Sequence, residues 1–110
     1  MSQGNFPDLM ISMAKTFDPT AVSNGFIMDI QFHVTGKEPG DYYFHIADGK
    51  CTLHEGVSKS PKATINTPSE VWMAIAKGEL TPQQAFFEQK FTVEGDLMLL
   101  LQLRNIFKIG

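Results

Sequence analysis

At 110 residues, with 43% hydrophobic and 19% charged side chains, the chain can bury one core and is too apolar to be disordered. A formal net charge of −3 argues against nucleic acid, which wants a basic stripe, and a single cysteine, Cys51, excludes a disulfide framework and fits a reducing interior. Asp8 and Lys15 interrupt the apolar residues near the start, so no signal-peptide core forms, and no apolar run approaches the roughly 18 residues of a membrane span. One soluble, cytoplasmic domain over 1–110 is expected.

Asn5 can cap a first helix, with Pro7 where a missing N–H costs little. Phe6, Leu9, Met10, Met13 and Phe17 then recur at spacings of three and four, and Asp18-Pro19 ends the helix. Val22 to Gly25 reads as a connector. From Phe26 to Thr35 the pattern alternates: Met28, Ile30, Phe32 and Val34 against Asp29, Gln31, His33 and Thr35, a half-buried strand. A turn with Pro39-Gly40 leads to a second strand, with Tyr42, Phe44 and Ile46 inward and Tyr43, His45 and Ala47 outward. Asp48-Gly49 is a hairpin signal into a third strand that turns Cys51 and Leu53 to the same face. The three strands form an antiparallel meander with one covered face.

After a polar loop, Ala63–Asn66 predicts a short strand, and Thr67-Pro68-Ser69-Glu70 predicts a capping box opening a helix with Val71, Trp72, Ile75 and Ala76. Gly78 stops that helix. Thr81-Pro82-Gln83-Gln84 repeats the cap ahead of Ala85 and Phe86. A last strand alternates Phe91 and Val93 with Lys90, Thr92 and Glu94; Gly95 permits a sharp exit, and Asp96 caps a final helix to about Lys108. Sheet and helices in this order predict an α+β fold, a sheet covered on one face.

The final helix has an apolar surplus. Leu99, Leu100, Leu103, Ile106 and Phe107 make one stripe, yet Leu97, Met98 and Leu101 lie among the polar residues of the other side. Other helices could wrap it, a second chain could cover it, or it could border a cavity for an apolar ligand. Periodicity favours the first and does not choose between the other two.

Catalytic signals are weak. His33, His45 and His54 fall on the polar faces of successive strands, where two could be neighbours, and Asp29 beside His33 could orient an imidazole. No serine or cysteine is placed as a nucleophile, no helical histidine pair suggests a metal, and no glycine-rich loop precedes a helix. Neither a metal nor a cofactor is expected.

Three pieces together resemble a known family. Ala63-Thr64-Ile65 runs into a capped helix with Trp72; next comes Gly78-x-Leu80-x-Pro82-x-x-Ala85-Phe86; last is Lys90-Phe91-x-Val93-x-Gly95-Asp96. This is similar to the sterol carrier protein type 2 lipid-carrier domain, densely from Ala63 to Leu103 and in strand pattern upstream. The resemblance implies a five-stranded, mainly antiparallel sheet covered by helices. It also implies a hydrophobic tunnel for a sterol, fatty acid, fatty acyl-CoA or phospholipid, carriage without catalysis, and a C-terminal helix that lines or gates the tunnel. On that reading the expected lining is Met10, Met13, Phe32, Trp72, Ile75, Phe86, Phe91, Leu97, Met98, Leu100 and Leu101. Transient membrane contact, and either a monomer or a homodimer, fit such a carrier. Two departures stand out: Gln89 replaces a usual glycine, and Met98 and Leu100 replace usually small residues. The C-terminus, Lys108-Ile109-Gly110, is no peroxisomal address and fits a stand-alone, prokaryotic-type member. The alternative is an interaction or dimerisation module that uses Leu97, Met98 and Leu101 without transporting lipid.

Overall fold

Helix α1 (Phe6–Lys15) starts where Asn5 Oδ1 accepts the Asp8 N–H at 3.0 Å, and its Phe6, Met10 and Met13 are fully buried. In this computed structural model the described residues are 5–21, 27–96, 98, 102, 106 and 107. The connector Val22 to Gly25 and Phe26 lie outside them. Five strands follow: β1 (Met28–Thr35), β2 (Gly40–Ala47), β3 (Lys50–Glu55), β4 (Ala63–Pro68) and β5 (Thr92–Gly95), with α2 (Ser69–Ala76) and α3 (Pro82–Phe87) between the last two.

The sheet order is β3-β2-β1-β4-β5. The meander of β1, β2 and β3 is antiparallel, as is β4 with β5, while β4 lies parallel to β1. The expected five-stranded, mainly antiparallel α+β fold is therefore present, with one parallel pair at its centre. Asp48 and Gly49 both adopt positive φ, 55° and 71°, the conformation a two-residue hairpin turn requires.

The capping box at Thr67–Glu70 does not form. Thr67 is still in β4, opposite Val34; it is buried, and its hydroxyl donates to the Pro68 carbonyl at 2.9 Å. The side chains expected to close their own helix reach instead to the β1–β2 turn. Ser69 Oγ accepts the Glu38 N–H at 3.2 Å, and Glu70 Oε1 accepts the Lys37 N–H at 3.3 Å. Glu38 Oε1 in turn accepts the Phe6 N–H at 2.9 Å, so one turn holds the starts of both α1 and α2.

Helices α2 and α3 end alike. After α2, Gly78 (φ 81°) donates to the Ile75 carbonyl and Glu79 to that of Ala74; after α3, Gln89 (φ 62°) donates to Phe86 and Lys90 to Ala85. Both are paired left-handed caps, one on glycine and one on glutamine. A side chain in this conformation costs about 1–2 kcal/mol. Gln89→Gly is expected to raise stability by about 1 kcal/mol net of glycine's extra chain entropy, read as a higher urea midpoint at unchanged slope.

Aromatic rings link across the core. Phe86 meets Phe91 (centroids 5.7 Å apart), Phe91 meets Trp72 (5.7 Å), Trp72 meets Phe32 (5.0 Å), Phe32 meets Phe44 (5.7 Å) and Phe44 meets Phe107 (5.0 Å). Most of these contacts are edge-on or tilted, as ring quadrupoles favour. At the far end the Asp18 N–H donates to the Ile106 carbonyl at 2.8 Å, and Phe17 packs on Phe107. Met98, Gln102 and Ile106 are helical, consistent with the final helix, and Asp96 Oδ1 accepts the Met98 N–H at 2.9 Å.

Candidate functional site

The two faces of the sheet offer different chemistry. On the face away from the helices, His45 Nδ1 lies 2.6 Å from Asp29 Oδ1, and Ser58 Oγ donates to Asp29 Oδ2 at 2.5 Å. Asp29 thus orients His45, which lies opposite it on β2; the expected pairing with His33 is incorrect, because residues four apart on one strand are too distant to touch. His33 bonds Asp41 at 2.6 Å, and His54 stacks on Tyr43 with centroids 4.9 Å apart, so no two histidines are direct partners across the strands.

Gln31 was also expected to face solvent and does not. The loop after β3 crosses beneath it. Gln31 Nε2 donates to the Tyr42 and Gly56 carbonyls, each at 3.0 Å, and Oε1 accepts the Ser58 N–H at 2.7 Å. The side chain is buried because its polar atoms replace water for a loop that must cross the sheet.

Serine, histidine and aspartate meet here without forming a nucleophile. Ser58 is buried and its hydroxyl proton is committed to Asp29, so His45 has no serine proton to take. Among the described residues no group of three or more histidine, cysteine or acidic side chains could hold a metal. Cys51, half-buried on the core side of β3, has its thiol pushed up to about 12 by burial, far from a reactive thiolate.

Asp29 carries a pH dependence. Burial raises its carboxyl, but the hydrogen bonds from Ser58 and His45, with the charges of His45 and His54, outweigh burial and leave the value below the usual one. Its contribution to stability is present above the unfolded aspartate value of about 3.9 and is lost as pH falls through the depressed native value. Asp29→Asn is expected to be less stable at neutral pH and to lose less melting temperature than the parent on acidification below about pH 4. Thermal scans across that range check it.

The helix-side face holds the residues expected to line a tunnel. Met10, Met13, Phe32, Trp72 and Ile75 are brought together in one core, each no more than 2% exposed, and Trp72 Nε1 donates to Met13 Sδ at 3.3 Å. Phe91 is buried and Phe86 half-buried beside them. Met98 is 62% exposed. Leu97, Leu100 and Leu101 lie outside the described residues.

An open groove of about 580 Å³ begins where the ring chain reaches the surface, lined by Phe86, Phe87, Gln89, Phe91, Thr92 and Val93. Phe86 and Phe91, which border it, were expected to line a tunnel between sheet and helices. Phe87, 89% exposed, was not, because it falls off the apolar stripe of its helix; two consecutive phenylalanines on a six-residue helix were the available signal. A smaller hollow of about 220 Å³ between α1 and α2 is bordered by Asn5, Asp8, Leu9, Ser12, Met73, Ala76 and Lys77. No helix among the described residues is long and apolar enough to cross a membrane.

Comparison with known proteins agrees with the fold. Residues 27–108 match the SCP-2 sterol transfer family. Human sterol carrier protein 2 is 28% identical over 71 residues, covering 64% of this chain, which spans only 13% of that protein. The sterol carrier protein 2 of Aedes aegypti, solved in complex with the C16 fatty acid palmitate, superposes with a TM-score of 0.70 at 19% identity over the whole of both chains. The inverting sec-alkylsulfatase Pisa1 from Pseudomonas sp. superposes with a TM-score of 0.77 at 18% identity, covering 92% of this chain and 16% of its own.

Proposed function

The chain belongs to the SCP-2 sterol transfer family, and from that premise we propose that it binds and carries an apolar lipid without transforming it. The observation that carries this reading is the groove at the end of the ring chain. Its volume of about 580 Å³ falls within the usual range for small-molecule sites, and its Phe86 and Phe91 walls continue inward to Trp72. A single acyl chain is the slimmest apolar lipid that could enter the packed core behind this groove, where the buried Met10 and Met13 can repack to make room for it. The palmitate held by the mosquito protein favours the same ligand class. Burying about 14 methylenes at roughly 0.8 kcal/mol each gives about 11 kcal/mol gross, and association costs of about 4–15 kcal/mol leave a complex that can release its cargo. Leu97, Met98, Leu100 and Leu101 of the final helix would gate the path, in a cytoplasmic protein that touches membranes transiently.

The test is direct. Organic extraction of the purified protein, followed by mass spectrometry, is expected to yield fatty acid or phospholipid. Delipidated protein is expected to bind a fluorescent C16 fatty acid, and Phe86→Asp to weaken that binding at least about tenfold by placing a charge in the groove. No extractable lipid together with no binding by delipidated protein rejects the carrier reading.

A further inference from the structure

The groove that serves as the lipid path has a rim that is not uniformly apolar. Among its lining residues Phe86, Phe87, Phe91 and Val93 are apolar, whereas Gln89 and Thr92 carry polar side chains, and none of the six is charged. Both polar side chains are exposed, and neither makes a hydrogen bond among the described residues. Two neighbouring donors are already engaged by Glu88: Gln84 Nε2 donates to its Oε2 at 3.2 Å, and the Lys90 ammonium lies 3.8 Å from its Oε1. We infer that Gln89 receives the polar end of the lipid, its side-chain amide donating to the acyl carbonyl that free fatty acids and their esters share.

The assignment rests on the carrier reading: a tail that enters toward Trp72 leaves its carbonyl at the rim. A carbonyl drawn from water without a donor costs its full desolvation, and a donor held at the rim offsets that loss. The backbone singles out Gln89 over Thr92. Gln89 has a φ of +62° as the left-handed residue of the α3 cap, a conformation that glycine adopts without strain. Gly78 fills the corresponding place after α2 with the same pair of cap hydrogen bonds, and it borders neither the groove nor the hollow between α1 and α2. The cap itself therefore has no need of a side chain. A glutamine kept there despite the strain is accounted for by what it borders, and it borders the groove. The uncharged lining sets the ligand class: the rim offers a neutral donor without a counter-ion, so an ester carbonyl is served as well as a carboxylate.

Delipidated full-length protein loaded with the fluorescent C16 fatty acid tests the contact, by displacement with dodecanoic acid, methyl dodecanoate and dodecane. The affinity of the probe itself is measured for each variant. Gln89→Ala keeps the strained backbone and removes the amide. It is expected to weaken binding of the acid and the ester about three- to tenfold, and that of dodecane less than about twofold. Gln89→Gly is expected to bind both as weakly as Gln89→Ala while its urea midpoint rises, a split that a purely structural glutamine would not give. Gln89→Glu sets an acceptor where a donor is needed, and is expected to lose as much with the ester and more with the acid, through like charge. The parent's preference between acid and ester identifies which of them supplies the carbonyl. Unchanged acid and ester affinities in Gln89→Ala overturn the inference and leave lipid carriage standing. So does an equal loss for dodecane, which has no carbonyl, a loss confined to the acid, or a loss seen in Thr92→Val and not in Gln89→Ala. A parent that binds neither the probe nor any of the three compounds removes the carrier reading and this contact together.

Discussion

Trp72→Ala is expected to lower the free energy of unfolding by about 3–5 kcal/mol, roughly a fifth or more of what a domain of this size commonly has. Trp72 is fully buried and stands at the middle of the ring chain, edge-on to Phe32 and Phe91. Truncation removes both ring contacts, strips Met13 Sδ of its N–H partner and opens a cavity that α2, held at its start by Glu38 and Glu70, cannot readily close. Trp72→Phe keeps a ring and is expected to recover more than half of the loss. Urea unfolding followed by far-ultraviolet circular dichroism gives both numbers, since the tryptophan signal is gone. A variant as stable as the parent would contradict the packing around α2.

The second large effect belongs to Gly95. A Cβ at this position would lie 2.5 Å from the Lys62 carbonyl oxygen and 3.0 Å from Ala63 Cα, and φ is +95°. Both obstacles are backbone, so no side chain can rotate away. Gly95→Ala must push β5 off β4 or change its φ, at roughly 2–4 kcal/mol from strain and overpacking combined. Loss of amide protection along β4 and β5, measured by hydrogen exchange, is expected to accompany the fall in melting temperature. Gly78→Ala is the control: it shares a positive φ but meets nothing within 4 Å, and should cost only the backbone part, about 1 kcal/mol.

What the sequence disclosed followed from chemistry acting over a few residues. The alternation in β1 and β2, the Asp48-Gly49 hairpin and the Asn5 and Thr81 caps were all readable, because each depends on near neighbours. Gln31, Ser69 and Glu70 were misread for one reason. Their polar atoms serve backbone far away in the chain, Ser58 for Gln31 and the β1–β2 turn for the other two, and no local spacing announces that. Asp29 was identified as an orienting carboxylate but assigned the wrong histidine, because its partner depends on the β1–β2 register. Around the candidate site, the burial of Met10 and Met13 was legible from the apolar stripe of α1 and that of Phe32 from the alternation of β1. The place of Phe87 in the groove was not, because it lies off the apolar stripe of its six-residue helix.

The contact between Trp72 and Met13 also makes the protein its own clock for oxidation. Peroxide reaches a thioether only when it is exposed, and Met13 is sealed whereas Met98 is open to solvent. The rate at which Met13 becomes its sulfoxide, divided by the rate for Met98 in the same sample, measures how often the interior opens. A sulfoxide formed beside Trp72 would be polar and bulky where the fold needs a slim, soft sulfur, so each such event tends to hold the core open. Peptide mass spectrometry after graded peroxide exposure reads both rates at once. A bound acyl chain that holds the interior shut would slow the first and leave the second unchanged.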